Sequence, residues 1–146
     1  MRRLLPLLLL LSAACGSSSG NRPADVAKPD IDVRQTSSIF FGSSGITPVS
    51  LEVHITNRSG VPLRVREIQL RSTGMMQYGI RPMSKLFNET IAPGESSTLG
   101  ITATAEARPM RAPSSEPLSV QAIVRFEANG RGFREVIMEQ FAGSGM

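Results

Sequence analysis

The run Val49-Ser50-Leu51-Glu52-Val53-His54-Ile55-Thr56 alternates aliphatic and polar residues without a break. Strict period two means an extended strand with one buried face and one wet face. Asn57-Arg58-Ser59-Gly60 ends it as a turn cluster, with a glycine available for positive φ. A second apolar run follows at once through Val61, Leu63, Val65, Ile68 and Leu70. Its parity switches between Val65 and Ile68. A strand accommodates that by taking one extra residue, so a β-bulge is expected near Arg66-Glu67.

The same pattern recurs along the chain. Ile31 to Phe41 reads as an opening strand, with Ile39, Phe40 and Phe41 at its apolar end. Met75 to Ile91 holds two short strands around Pro82, with Tyr78, Ile80, Leu86, Phe87 and Ile91 as core candidates. After the turn Ala92-Pro93-Gly94-Glu95, Leu99, Ile101, Ala103 and Ala105 alternate with polar positions, and the small alanines mark a place of close approach. Prolines 109, 113 and 117 make Arg108–Pro117 an exposed loop.

The last two strands, Leu118–Glu127 and Phe133–Phe141, flank Asn129-Gly130, the dipeptide most favoured in tight hairpins. A two-residue loop pairs Phe126 with Phe133. A loop one residue longer pairs Arg125 with Glu135 and Val124 with Val136. The second is preferred because it matches charges on the wet face and aliphatics on the dry one. Seven or eight short strands without a convincing amphipathic helix argue for an all-β fold, a single immunoglobulin-like antiparallel β-sandwich over residues 31–141. With no tryptophan and no internal cysteine pair it is not an antibody-type domain. Residues 142–146 read as a frayed tail.

A different pattern opens the chain. Met1-Arg2-Arg3 is followed by an apolar run of 11 residues from Leu4 to Ala14, then by Cys15 and a Gly/Ser stretch. A charged start, a short apolar core and small residues at a cleavage site form a secretory signal peptide over residues 1–14. The run is too short for a membrane span, which needs roughly 20 residues. Leu11-Ser12-Ala13-Ala14-Cys15 resembles the lipobox of bacterial lipoproteins, with Ser12 where leucine is commonest. That resemblance implies cleavage before Cys15 and acyl chains on it. With Gly16 rather than aspartate next, it also implies transport to the outer membrane, facing the periplasm. Cys15 is the only cysteine, so no disulfide framework or cysteine-rich metal site is available.

Residues 15–30 carry almost nothing apolar and read as a flexible linker. Fifteen such residues span about 20 Å, enough to lift a domain clear of the headgroups.

From Leu51 to Ala103, the strand ending in Asn57, the Gly60-Val61-Pro62-Leu63 turn and the Pro93-Gly94 turn before a polar-alternating strand resemble the late-embryogenesis-abundant type 2 domain. Asn57-Arg58-Ser59-Gly60 stands where that family usually has Asn-Pro-Asn. The resemblance implies a sandwich with a stress-associated or binding role and assigns no catalytic residue.

Candidate chemistry is sparse. His54 is the only histidine and falls on the wet face of its strand, without histidine or cysteine partners for a transition metal. The serines of Ser43-Ser44-Gly45 lack a nucleophile-elbow motif, and no cofactor motif is present. Without Arg2 and Arg3 the 16 basic residues become 14, against 12 acidic, a net charge of +2 that gives no reason to expect nucleic acid. Arg64, Arg66 and Arg71 are expected on one side of the second strand near Arg58, as a surface for an anionic lipid, glycan or acidic partner. Met110 in the proline-rich loop is a second candidate contact, and Met75-Met76 a third. The expected function is non-enzymatic: a membrane-anchored binding or assembly module meeting an envelope protein or polymer. The alternatives are a stress-protective protein and an accessory subunit of an envelope enzyme or transport complex.

Overall fold

The computed structural model describes residues 20–39, 44–73, 78–107 and 118–141. Eight strands account for most of them: β1 Asp30–Gln35, β2 Ile46–Thr56, β3 Leu63–Ser72, β4 Tyr78–Ile80, β5 Met83–Ile91, β6 Ser96–Ala107, β7 Leu118–Ala128 and β8 Arg131–Phe141. They form two antiparallel four-stranded sheets, ordered β1-β2-β6-β4 and β5-β3-β7-β8. The all-β sandwich expected from the alternation is therefore the fold.

The period-two residues meet between the sheets. Val49, Leu51, Val53 and Ile55 from β2 share one buried core with Leu63, Val65, Ile68 and Leu70 from β3 and Val120, Val124 and Phe126 from β7. Burying each such side chain contributes roughly 1.5–3 kcal/mol, so the alternation in sequence is the main source of stability. The bulge lies where the parity switch puts it: β3 changes register against both β5 and β7 between Val65 and Glu67. The short β4 pairs with the end of β6, Ile80 opposite Ala105, and both side chains are buried. The chain then crosses to the other sheet at Arg81-Pro82.

Asn57 closes one end of the sandwich. Fully buried, it donates from Nδ2 to the carbonyls of Val61 at 2.8 Å and Ile91 at 2.9 Å. Its Oδ1 accepts from the Ser59 amide at 2.9 Å and hydroxyl at 2.7 Å. Its backbone exchanges hydrogen bonds with Glu95 and Gly94. One residue thus joins the turn after β2, the end of β5 and the Pro93-Gly94 turn.

Three expectations are corrected. The final hairpin has the two-residue loop: Phe126 pairs with Phe133, Arg125 with Arg134 and Val124 with Glu135. Asn129 and Gly130 have φ of 51° and 71°, the double positive φ of a type I′ turn. That turn's twist matches the strands, and the Phe126 and Phe133 rings stack at 5.2 Å between centroids. Backbone geometry and aromatic packing outweigh the surface charge match that favoured the longer loop. As a result Glu135 faces inward at 1% exposure.

Leu86 is the second. It pairs with Glu67 across the bulge and is 78% exposed, so it is no core residue. Ile80 and Ile91 are buried, with Tyr78 and Phe87 packed partly against the core.

The third concerns the linker. Residues 20–30 lie on the domain: Pro23, Val26 and Pro29 are buried. Gly20 and Arg134 exchange backbone hydrogen bonds at 3.2 and 3.3 Å. Arg22 Nη1 meets Glu135 Oε1 at 3.0 Å. Val26 sits at the three-residue step from Pro23 that its amide closes at 3.1 Å. The opening strand is accordingly shorter than expected, ending at Gln35, with Ile39 buried beyond it. Phe40, Phe41, Met75, Met76, the proline-rich loop, the tail and the signal segment lie outside the described residues. Among the described residues, no helix is long and apolar enough to cross a membrane.

Candidate functional site

The outward positions of the β5-β3-β7-β8 sheet follow from the registers. β3 presents Arg64, Arg66, Glu67, Gln69 and Arg71, β7 presents Gln121, Ile123, Arg125 and Glu127, and β8 presents Arg134, Val136 and Met138. The bulge puts Arg66 and Glu67 side by side, so both point outward.

Arg64, Arg66 and Arg71 all lie on this face, but they do not form one cluster. Arg71 is at the far end, donating from Nε to Gln121 Oε1 at 2.6 Å. Arg58 leaves the face altogether and pairs with Asp30 at 2.6 Å. Arg64 stands opposite Glu127 and Thr90, beside Arg66. Cys15 and Met110 lie outside the described residues.

What gathers around Arg66 instead is Arg125 and Arg134, which with Glu127, Gly20 and Asn21 line an open concavity of about 570 Å³ floored near Phe126 and Phe133. Arg125 and Arg134 are direct cross-strand partners. Like charges in that relation sit with Cβ atoms about 5 Å apart and repel. Arg125 Nε has Glu67 Oε2 at 3.2 Å. Arg66 Nε has Glu127 Oε2 at 3.7 Å, an ion pair longer than a hydrogen bond. Among the described residues Arg134 has no acidic partner. A second, smaller hollow of about 340 Å³ opens at the other end of the face, between Arg71, Met83 and Ile123.

Glu67 is fully engaged. Gln69 Nε2 donates to Oε1 at 3.0 Å and the Ser84 hydroxyl donates to the same oxygen. These two bonds, Gln69 first, hold its carboxyl below the usual range against the opposing effect of burial, and Arg125 adds to the lowering. Of the arginines here Glu67 is committed to Arg125, and among the described residues no carboxylate lies within ion-pair distance of Arg134. The concavity therefore keeps unmatched positive charge.

Sequence reasoning missed Arg125 and Arg134 as site residues. The signal was the Asn129-Gly130 dipeptide itself, because the two-residue register is what sets the two arginines opposite each other.

On the opposite sheet His54 sits on the wet face, as the alternation implied. Its Nδ1 is 2.8 Å from Thr98 Oγ1 and its Nε2 is 3.4 Å from Glu52 Oε2. This Glu-His-Thr line lies on an open face, and neither concavity touches it. Among the described residues no group of three or more histidine, cysteine, aspartate or glutamate side chains could hold a metal ion.

Comparisons with known proteins identify the fold and nothing finer. No family model matches the sequence, and no curated protein matches it. Among solved structures, the chain is similar to an X-ray structure of a Northeast Structural Genomics Consortium target. The TM-score is 0.58, with 11% identity over 82% of this chain and 88% of that one. A protein from Archaeoglobus fulgidus aligns at TM-score 0.48 and 10% identity, over 80% of this chain and 98% of its own. A FixG-related protein from Vibrio parahaemolyticus aligns at 0.41 and 15%, over 82% and 99%. At such identities the first likeness speaks for the sandwich alone.

Proposed function

We propose that the protein is a lipid-anchored module of the bacterial cell envelope that binds or helps assemble another envelope component and catalyses no reaction. The observation that carries the reading is the lipobox-like Leu11-Ser12-Ala13-Ala14-Cys15, with the chain's one cysteine at the position that would receive acyl chains. Two or more acyl chains give stable attachment, each buried CH₂ contributing about 0.8 kcal/mol. Supporting it on the binding side is an outer sheet face that carries five arginines and exposed Leu86 and Met138, a composition suited to contact.

Intact-mass analysis of the protein extracted from its native membrane tests the anchor. The expected mass begins at Cys15 and includes acyl chains, and a Cys15→Ala variant lacks them. An unmodified soluble product from the unaltered chain rejects the anchor.

A further inference from the structure

We infer that the concavity between Arg66, Arg125 and Arg134 takes the phosphate of an anionic phospholipid headgroup, docking the sandwich on the membrane that carries it. The lipid-anchor reading supplies the location of the membrane, and the structure supplies the receptor.

The charge is built in rather than incidental. The type I′ turn at Asn129-Gly130 and the Phe126–Phe133 stack fix a register that sets Arg125 against Arg134. Two guanidinium groups held in that relation repel unless an anion lies between them. No side chain of the described residues supplies one to Arg134, and Glu67 is already engaged by Gln69, Ser84 and Arg125. A tetrahedral oxyanion does fit: each guanidinium offers a planar fork of N–H donors that engages two phosphate oxygens at once. The concavity of about 570 Å³ is open to solvent, so a headgroup at a membrane surface can enter it.

Gly20 gives the site its wall and its location. Its backbone bridges to Arg134, and the Arg134 side chain lies against it, 2.9 Å from where a Cβ would stand. From Gly20 back to Cys15 is five residue steps, at most about 17 Å even fully extended. The intervening Gly16-Ser17-Ser18-Ser19 carries no charge. A leaflet's headgroup layer is roughly 5–8 Å thick. An acylated Cys15 therefore holds Gly20 no more than about 17 Å from the lipid it carries, close enough for the arginines to contact the headgroups.

The test uses the chain from Gly16 onward, which retains every described contact and lacks the anchor, in cosedimentation with vesicles of phosphatidylcholine alone or mixed with phosphatidylglycerol. Binding is expected to the mixed vesicles only, and to fade as salt approaches about 1 M. Each arginine lost from the concavity is expected to weaken it about fivefold, hence about 25-fold for Arg125→Ala with Arg134→Ala. Arg134→Gln alone removes no ion pair seen among the described residues, so it is the variant least open to a folding defect, and about fivefold is expected. Arg71→Ala, at the far end of the face, removes one charge and is expected to weaken binding less than twofold. If Arg71→Ala weakens binding as much as Arg134→Gln, the attraction is diffuse and the site is overturned. Equal retention on both vesicle types also overturns it. Saturable binding of inorganic phosphate with no preference for the mixed vesicles assigns a free anion instead. Intact mass reports separately on Cys15, so failure of the anchor and failure of the headgroup site give different results.

Discussion

Arg22 and Glu135, 113 residues apart, form an ion pair at 3.0 Å that joins the start of the described chain to the inward face of the last strand. Glu135 Oε2 is buried with no hydrogen-bond partner among the described residues. A buried carboxylate satisfied on one oxygen depends heavily on the cation that serves it.

Removing that cation should therefore cost more than removing the pair. Arg22→Ala is expected to lower unfolding free energy by about 2–4 kcal/mol, and Arg22→Met combined with Glu135→Leu to recover most of it. Urea denaturation of the two variants measures this. Equal losses in both would show that Arg22 acts through packing of residues 20–30 alone.

Asn57→Ala is expected to destabilise by about 2–4 kcal/mol, because it removes the side-chain donor to the Ile91 carbonyl and the acceptor of the Ser59 amide, leaving the Ser59 hydroxyl only Val61. Asn57→Asp keeps the acceptor side of the network and loses the donor side, so it should restore only part. Thermal melts of both variants against the unaltered chain rank the two halves, and a loss below about 0.5 kcal/mol for alanine would contradict the corner described above.

Gly130→Ala is expected to cost about 1 kcal/mol, since the residue holds φ of 71° with open space around it and the penalty is purely one of backbone conformation. Denaturant midpoints measure it. A neutral effect would mean the turn can adopt a different type, and with it the longer-loop register.

Two carboxyls give opposite pH responses. Burial first, then the charge of Asp32, raises the pKa of Glu139, so its ionised form is disfavoured in the folded state. The resulting penalty grows as pH rises above the ordinary glutamate value of 4.5 through the raised folded value. Glu139→Gln should accordingly stabilise at pH 7 and do nothing near pH 3. Glu67 is lowered, so its contribution is present above 4.5 and disappears as pH falls through its folded value. Glu67→Gln should destabilise at pH 7 by no more than about 1 kcal/mol, as expected for a partly exposed group, with the difference fading in acid. Melting temperatures across pH 3–8 separate the two, and parallel profiles would refute both assignments.

How far the fold could be read ahead depended on whether the information was local. The parity of Val65 and Ile68 records a bulge directly, because an inward residue is aliphatic or it is not. The hairpin register required weighing two effects that the sequence displays unequally: Arg125 and Glu135 advertise a charge match, whereas the twist preference of a type I′ turn leaves only two small residues as its trace. Choosing the visible signal hid the inward Glu135 and the Arg125–Arg134 pair together, and with them the centre of the concavity. Residues 20–30 escape a sequence reading for a related reason. Pro23, Val26 and Pro29 recur every three residues, a spacing that belongs to neither strand nor amphipathic helix and so raises no pattern, yet all three are buried. Leu86 errs in the opposite sense: it is the strand neighbour of Phe87, and with Phe87 packed on the core Leu86 falls on the outer face opposite Glu67.

The way residues 20–26 attach also determines how the molecule bears a load. Tension applied upstream of Gly20 meets the two backbone hydrogen bonds to Arg134 first, then the Arg22–Glu135 pair, and the buried Val26 only after those have parted. These fastenings act in series along the chain, so each bears the pull alone and yields in turn. A domain attached in this way gains reach step by step under strain, and its core is the last part to be stressed.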